Sequence, residues 1–177
     1  MSSLAYRLYE RAHLTGHFRL RSGIVSAEYF DKYLFEADPQ LLAEVVDALV
    51  PLVPTDADAL AGLEMGGVPL ATIASQRTGI PTLFVRKKPK EYGTRRLAEG
   101  GDIAGRRLVL VEDVVTTGGQ IVASATALRI EGARVDVVVA VIDRDAGAVE
   151  HLAAEGLELR TVFTMAELHA AATSESD

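Results

Sequence analysis

The 177-residue chain contains no cysteine, no tryptophan and no asparagine. Without cysteine it can form no disulfide framework, no thiolate metal site and no cysteine nucleophile. The missing asparagine leaves no acceptor for N-glycosylation. No apolar run approaches the roughly 20 residues that a membrane helix needs, and the first residues lack the apolar centre of a signal peptide. We therefore expect a cytoplasmic protein without a membrane partner.

Positive charge is also scarce, since 18 Lys and Arg stand against 25 Asp and Glu for a net charge of −7. A nucleic-acid binder needs a positive surface to displace counterions from phosphates, so this balance argues against nucleic acid as a partner. Residues 86–96 nevertheless hold six basic residues and one acidic residue, while the rest of the chain carries a net charge of −12. One basic segment therefore stands out on an acidic body.

Apolar residues make up 49% of the chain, enough to bury the core of one globular domain. Ser2 or Ser3 can cap a short N-terminal helix, and residues 18–33 predict a hairpin that turns at Ser22-Gly23. Asp38-Pro39 then starts a helix that ends by Pro51. We divide the single domain into an N-terminal helix and hairpin (1–37), a core (38–171) and a polar tail expected to fray (172–177).

The core shows an alternating pattern. Short apolar runs at 59–63, 81–85, 107–111 and 135–142 alternate with helix-like segments at about 68–78, 119–132 and 145–155, before a last strand at 157–163 and a helix at 164–171. This pattern predicts an α/β fold with a mainly parallel sheet flanked by helices and with ligands at the carboxyl ends of the strands. The connection from about 86 to 107 far exceeds the usual two to six residues, which indicates a lid or an insert.

The most informative segment is RLVLVEDVVTTGGQ at 107–120. A predicted buried strand brings Glu112 and Asp113 to its carboxyl end, and the chain then enters a helix through threonines and glycines. Such a turn leaves backbone N–H groups open at a helix N-terminus, where an anion is favoured. A carboxylate can accept two hydrogen bonds from vicinal ribose hydroxyls. The segment therefore predicts a sugar-phosphate site.

Other interpretations of these and similar motifs are possible. Asp113 and the threonines could simply cap a helix, although capping does not explain two acids at the end of a buried strand. Gly62 and Gly67 have Walker A spacing, but Val68 stands where the lysine belongs. His13 and His17 have the i, i+4 spacing of metal ligands, but Gly16 interrupts the helix and no third ligand is apparent, so we predict no protein metal site.

The stretch VLVEDVVTTGG resembles the 5-phosphoribosyl 1-pyrophosphate (PRPP) signature of the type I phosphoribosyltransferases. With the segments below, the resemblance narrows to the orotate phosphoribosyltransferase family and runs from about Gly16 to Leu168. It implies a mainly parallel sheet with a small N-terminal hood hairpin. It also implies that PRPP is bound by the residues of the signature turn, which are Glu112, Asp113, Val114, Val115, Thr116, Thr117, Gly118, Gly119 and Gln120.

The basic segment resembles the mobile catalytic loop of that family, part of which reaches the site of the neighbouring subunit in a homodimer. By this resemblance the loop residues that bind PRPP are Arg86, Lys87, Lys90 and Tyr92, and the catalytic residues are Lys87, Lys90 and Asp113. Tyr92 stands where many relatives have histidine. Electrostatics supports the assignment, because cations on the departing pyrophosphate oxygens stabilise the developing charge. The alternative is a solvated charge run on a surface loop.

Three further segments complete the resemblance. Residues 62–69 resemble the loop that approaches pyrophosphate through its backbone, although a tight strand-to-helix turn is the alternative. The hairpin resembles the hood over the substrate, although sheet packing would explain its aromatic residues equally well. By resemblance Arg21, Thr116 and Arg144 contact orotate, whose carboxylate a planar guanidinium fits bidentately. Alternatively, Arg144 pairs with a neighbouring aspartate.

The resemblance predicts an enzyme that transfers ribose 5-phosphate from PRPP to orotate, with Mg²⁺ bound mainly through the PRPP diphosphate and water. A homodimer is implied by the resemblance only. Two alternatives stay open: a type I phosphoribosyltransferase for another base, and a non-catalytic regulator that senses PRPP. Ala27 and Gln120 depart from the usual pattern at positions where proline and serine are common, which leaves room for an unusual substrate.

Overall fold

The computed structural model describes residues 2–19, 23, 25–88, 96–144 and 146–175. The chain begins with helix α1 (Leu4–Ala12), whose N-cap Ser3 accepts a hydrogen bond from the N–H of Tyr6. Strands β1 (His13–Arg19) and β2 (Val25–Phe30) then form an antiparallel pair. The predicted capped helix and hairpin are therefore confirmed.

The hairpin differs from its prediction at both ends. β1 starts at His13, directly after α1, and the residues after β2 form a short helix, α2 (Lys32–Glu36), instead of continuing the strand to residue 33. The cause is local, because the Asp31 side chain accepts a hydrogen bond from the N–H of Tyr33 and caps this helix. Helix α3 (Pro39–Leu49) follows, with Asp38 as its N-cap as predicted.

The central sheet is mainly parallel, as predicted. Its strands are β3 (Ala59–Leu63), β4 (Thr82–Val85), β5 (Ala98–Glu99), β6 (Arg107–Val115), β7 (Arg134–Asp143) and β8 (Glu158–Thr164), in the spatial order β5–β4–β3–β6–β7–β8. Only the two-residue β5, which the sequence pattern did not predict, runs antiparallel to its neighbour. β6 is four residues longer than the apolar run that predicted it, so both acidic residues lie within the strand.

Helices cover both faces of this sheet. They are α4 (Gly67–Thr78), α5 (Gly119–Ile130), α6 (Ala148–Ala154) and α7 (Met165–Ser174). Alternate residues of β6 enter opposite core layers, because side chains alternate along a strand. Leu108 and Leu110 pack in the layer that contains residues of α5 and α6. Val109 and Val111 pack in the layer that contains residues of α1, α3 and α4.

The C-terminal helix α7 extends to Ser174, into the segment expected to fray. It starts with a reciprocal capping box between Thr164 and Glu167, which satisfies two backbone N–H groups. Near its end, the N–H of Ser3 donates to the Glu175 carboxylate. Among the helices that the structure describes, none combines the length and the apolar character needed to cross a bilayer.

Candidate active site

The fold sets the position of the site at the carboxyl edge of the sheet, between β3 and β6. From β3 the chain crosses to β4 on one side, whereas the later strands add on the other side through β6. The strand order therefore reverses here, and a doubly wound sheet opens a crevice at such a point. The turn after β3 and the turn after β6 both lead into helices that start at this edge.

The turn after β6 has the form of an anion site. Gly118 adopts φ +77°, in the left-handed region that glycine tolerates, and it is the N-cap of α5. Helices α1, α2, α3 and α7 are each capped by a side-chain oxygen. The N-cap of α5 is a glycine, and within the described part of the chain α5, like α4 and α6, has no side-chain cap at its N-terminus. Its free N–H groups and dipole favour a bound anion.

A cavity of about 210 Å³ opens over this turn. Its lining consists of Glu112, Val114, Val115, Thr116, Thr117, Gly118, Gly119, Gln120 and Ile121. The structure thus brings together every residue predicted from the signature turn except Asp113. The cavity combines one carboxyl group, two threonine hydroxyls and the start of a helix, which are groups suited to ribose hydroxyls and a phosphate.

The two acidic residues of β6 have different surroundings. Glu112 follows the face of β6 that α5 covers and reaches the cavity. Asp113 follows the opposite face, and its side chain is 0% exposed. Its carboxylate forms an ion pair with Lys32 of α2 and accepts a hydrogen bond of 2.5 Å from the N–H of Val114. The N–H of Asp113 donates to Glu112 Oε1 at 3.1 Å, so the two acids are linked.

The three carboxyl groups of this site, those of Asp113, Glu112 and Glu36, differ in their tendency to ionise. Burial opposes the ionisation of Asp113, but hydrogen bonds from Glu112 and Lys32 outweigh it and lower the pKa of Asp113. Burial, followed by the hydrogen bond to Asp113, raises the pKa of Glu112 well above its usual range. Burial, followed by the neighbouring Asp113, also raises the pKa of Glu36 to about 8. At neutral pH Asp113 therefore carries the negative charge that balances Lys32.

The turn after β3 approaches β6 very closely. A side chain on Gly66 would overlap the Asp113 carboxylate, and one on Gly67 would overlap the carbonyl oxygen of Val111. Both positions therefore require glycine, and the backbone of this turn lies beside the two acids. The same turn holds the start of the basic segment, because Glu64 Oε1 accepts a hydrogen bond of 2.7 Å from the N–H of Lys87.

The structure describes only part of the predicted basic loop. The side chain of Lys87 is exposed at the edge of the crevice, and Arg86 Nε lies 3.9 Å from Glu99 Oε1. Lys90 and Tyr92, and also Arg21 of the hood, lie outside the described residues. Arg144 comes directly after β7, and its N–H donates to the carbonyl of Val115 at 3.0 Å. It therefore lies beside the lined cavity, at the same edge of the sheet.

The hood and its histidines have structural contacts. Phe18 and Tyr29 stack with ring centroids 5.5 Å apart, which agrees with the packing interpretation of the hairpin aromatics. His13 stacks on Tyr9 at 4.5 Å, and His13 Nε2 lies 3.4 Å from Glu28 Oε2. Because His13 and His17 lie in a strand, their i, i+4 spacing does not bring them together as it would in a helix.

Three residues of the site were missed in the sequence. Lys32 and Glu36 contact Asp113 from α2, and their i, i+4 spacing after the Asp31 cap was a usable signal. His151 of α6 contacts the turn after β6, since its Nδ1 lies 2.6 Å from the carbonyl oxygen of Thr117. No local pattern marks His151, because it lies 34 residues from its partner.

A reversed strand order, an open helix N-terminus and a carboxyl group beside it agree with the type I phosphoribosyltransferase class that the signature resembles. The model of the phosphoribosyl transferase domain family matches residues 36–168. The chain belongs to this family, and within it to the branch of the orotate phosphoribosyltransferases. The fold, and the branch inferred from the signature together with the other resembling segments, are thus confirmed.

Individual relatives support that placement. The chain is 57% identical over 170 residues to an orotate phosphoribosyltransferase of Nocardioides sp., covering 96% of this chain and 95% of the relative. An orotate phosphoribosyltransferase of Mycobacterium tuberculosis superposes with a TM-score of 0.84 at 32% identity and covers 93% of this chain and 96% of its own. A complex of the Mycobacterium tuberculosis enzyme with PRPP gives a TM-score of 0.79 at 30% identity, covering 94% and 96%.

Proposed function

We propose that this chain transfers the phosphoribosyl group of PRPP to N1 of orotate, which yields orotidine 5′-monophosphate and pyrophosphate for pyrimidine synthesis. The bond between C1′ and the diphosphate oxygen breaks and its electron pair leaves with the diphosphate. N1 supplies the electron pair of the new bond to C1′, and the N1 proton passes to solvent. The sugar passes through an oxocarbenium-like state, as in glycoside hydrolysis. Positive charge therefore develops on the ribose and negative charge on the departing diphosphate.

The observation that carries the proposal is the cavity after β6, where Glu112 and the N-terminus of α5 face one space. We assign the 5-phosphate to the turn from Thr116 to Gly119 and the ribose hydroxyls to Glu112. The backbone N–H of Asp113 supports that contact, because it donates a hydrogen bond to Glu112 Oε1. The diphosphate then points toward the turn after β3 and the start of the basic segment, where Lys87 can stabilise its charge.

Mg²⁺ is the proposed cofactor. Glu112 offers one oxygen-donor group at the cavity. Over the described ranges, no group of three metal-binding side chains converges to form a protein site. This residue set fits a hard cation that is held mainly by the PRPP diphosphate and water, with Glu112 beside it. When bound, Mg²⁺ offsets the charge of the diphosphate, while the residues of this chain orient the ribose and the phosphate.

The assembly and the location are further parts of the proposal. We propose a homodimer in which part of the basic loop of one subunit reaches the site of the other and adds cations to it. The small-molecule partners are PRPP and orotate. The cytoplasm is the proposed location, because both substrates are charged and the reaction needs them together.

A base screen tests the function, with Arg144→Ala as the informative variant. The wild-type enzyme with PRPP and Mg²⁺ is expected to release pyrophosphate with orotate but not with uracil, adenine or hypoxanthine. Loss of the guanidinium should lower kcat/KM for orotate about 10- to 100-fold, the range for a hydrogen bond to a charged group, with little change in the KM for PRPP.

The matched control for that variant is Arg134→Ala, which removes an exposed arginine from the opposite end of the same strand. It should react like wild type. Pyrophosphate release with a purine instead of orotate would assign the chain to another base. Tight PRPP binding without turnover on any base would identify a sensor rather than an enzyme.

His151 provides a smaller and more specific test of the phosphate turn. A carbonyl oxygen only accepts, so His151 Nδ1 must donate to Thr117. Because a trans peptide points its C=O and N–H in opposite directions, this bond directs the N–H of Gly118 away from α6. His151→Leu should raise the KM for PRPP about two- to tenfold, with kcat nearly unchanged. His151→Asn keeps a donor near the Nδ1 position and should restore the KM, and a KM unchanged in both variants would contradict this role.

A further inference from the structure

Helix α2 presents two ionisable side chains to β6, the strand that carries Glu112 and Asp113. Lys32 and Glu36 are four residues apart and thus lie on one face of the helix. The Lys32 ammonium forms an ion pair with Asp113 Oδ2, and the Glu36 carboxyl approaches the same carboxylate. α2 begins one residue after Asp31, which itself follows the hood strand β2. The contact therefore ties the base of the hood to β6.

The space around Asp113 is tightly packed. Its side chain is 0% exposed, and the backbone of Gly66 closes one side so tightly that a Cβ there would overlap Asp113 Oδ2 and lie 2.9 Å from Glu36 Oε1. Asp113 and Glu36 thus lie together against the same glycine. Two carboxyl groups this close cannot both be ionised without a large cost, so a proton on one of them is favoured.

The buried charges balance only while Lys32 is present. One ammonium faces Asp113, with Glu36 and Glu112 on either side of it. Burial and the negative charge of Asp113 keep the pKa of Glu36 at about 8, so Glu36 is mostly neutral at pH 7. Removing the ammonium would leave a buried carboxylate without a counter-charge, and such a group must rotate, take up a proton or draw in water.

We propose that Lys32 and Glu36 are positioning residues of the PRPP site, which fix the Asp113 carboxylate and, through the Asp113 backbone, the carboxyl group of Glu112. This inference rests on the proposed function, because it assigns the ribose contact to Glu112. Neither side chain lines the cavity, so both act through β6. Because both residues lie directly after the hood hairpin, they also couple the hood, which covers the nucleobase site, to the ribose site.

Four variants test the proposal. Lys32→Met removes the ammonium but keeps most of the side-chain volume, and Lys32→Gln is the second charge-free variant. Glu36→Leu removes both carboxyl oxygens, whereas Glu36→Gln imitates the neutral acid. Arg77→Met is the matched control, since it removes a cation from an exposed ion pair with Asp47 on a distant surface. The measurements are PRPP affinity by calorimetry without a base, KM and kcat for both substrates, and thermal unfolding.

We expect Lys32→Met, Lys32→Gln and Glu36→Leu to weaken PRPP binding about 10- to 100-fold, the scale for a displaced site residue, while the KM for orotate changes less than about threefold. Glu36→Gln should recover most of the affinity that Glu36→Leu loses, and Arg77→Met should bind like wild type. Wild-type PRPP affinity in folded Lys32→Met or Lys32→Gln would overturn the proposal. The proposal would also be overturned if these variants lost PRPP and orotate binding equally and in proportion to the fall in their unfolding temperature. A wild-type protein that binds no PRPP would instead refute the proposed function.

Discussion

Replacement of Lys87 by alanine is expected to lower kcat about 100- to 1000-fold with every base, the cost of removing one group that stabilises transition-state charge. The backbone of Lys87 is held by Glu64 at the carboxyl end of β3, which directs the basic segment toward the crevice. Because the proposed function assigns this cation to the diphosphate and not to the base, the defect should be the same for any nucleobase that reacts. Steady-state rates of pyrophosphate release at saturating PRPP measure it.

Lys88→Ala is the matched control for Lys87→Ala. It removes an identical charge from the next residue, which is also exposed and which the family resemblance does not assign to the site. A charge run that merely solvates the loop would make the two variants equal, and equal rates would therefore reject the catalytic assignment. The variants should also unfold at the temperature of wild type, because both side chains are exposed.

The same variant tests the shared loop. If Lys87 serves the partner's site, mixing Lys87→Ala with Glu112→Gln should restore part of the activity, because one site of each mixed dimer then has both groups intact. Subunits must exchange for this to occur, so refolding the two variants together is the appropriate procedure. Activity that stays at the level of the separate variants would indicate that the loop acts within its own subunit.

The largest expected effect on stability is that of Gly67→Ala. A Cβ at this position would overlap the carbonyl oxygen of Val111 and lie 3.0 Å from the carbonyl carbon, and both atoms belong to the backbone of β6. Neither can rotate away, so α4 has to move off the sheet. Overpacking of this kind costs up to about 3 kcal/mol. For a domain of this size we expect the unfolding temperature to fall by roughly 6–12 °C.

Gly119→Ala is the contrasting variant. A Cβ there has only Thr117 Oγ1 within reach, at 3.9 Å, and Gly119 starts a helix, so stability should hold or rise by about 0.4–1 kcal/mol. The added methyl group enters the lining of the cavity and should weaken PRPP binding. Gly67→Ala should therefore lower stability, whereas Gly119→Ala should lower PRPP affinity. Thermal unfolding measures the first effect and calorimetry measures the second. A stable Gly67→Ala variant would show that α4 is not held as tightly as its contact with β6 indicates.

Local patterns in the sequence predicted most of the architecture. The strands around 59–63, 107–111 and 135–142 and the helices between them follow from apolar periodicity, and the caps at Ser3 and Asp38 follow from side-chain oxygens next to a helix start. Two errors were local as well. The apolar criterion ended β6 at residue 111, whereas parallel pairing with β7 continues through Val115. The hairpin was extended over α2 because the Asp31 cap was overlooked.

The sequence by itself determined the class of the fold and the residues of the turn after β6, because these depend on neighbours within a few positions of one another. Only the tertiary structure decided which acid faces the cavity. Alternation along β6 sends Glu112 to the side of α5 and Asp113 to the side of α2, where Lys32 and Glu36 surround it. It likewise brought His151 to Thr117 and Gly67 to Val111. Such contacts join segments far apart in the chain, and packing of the helices on the sheet fixes them rather than any local preference.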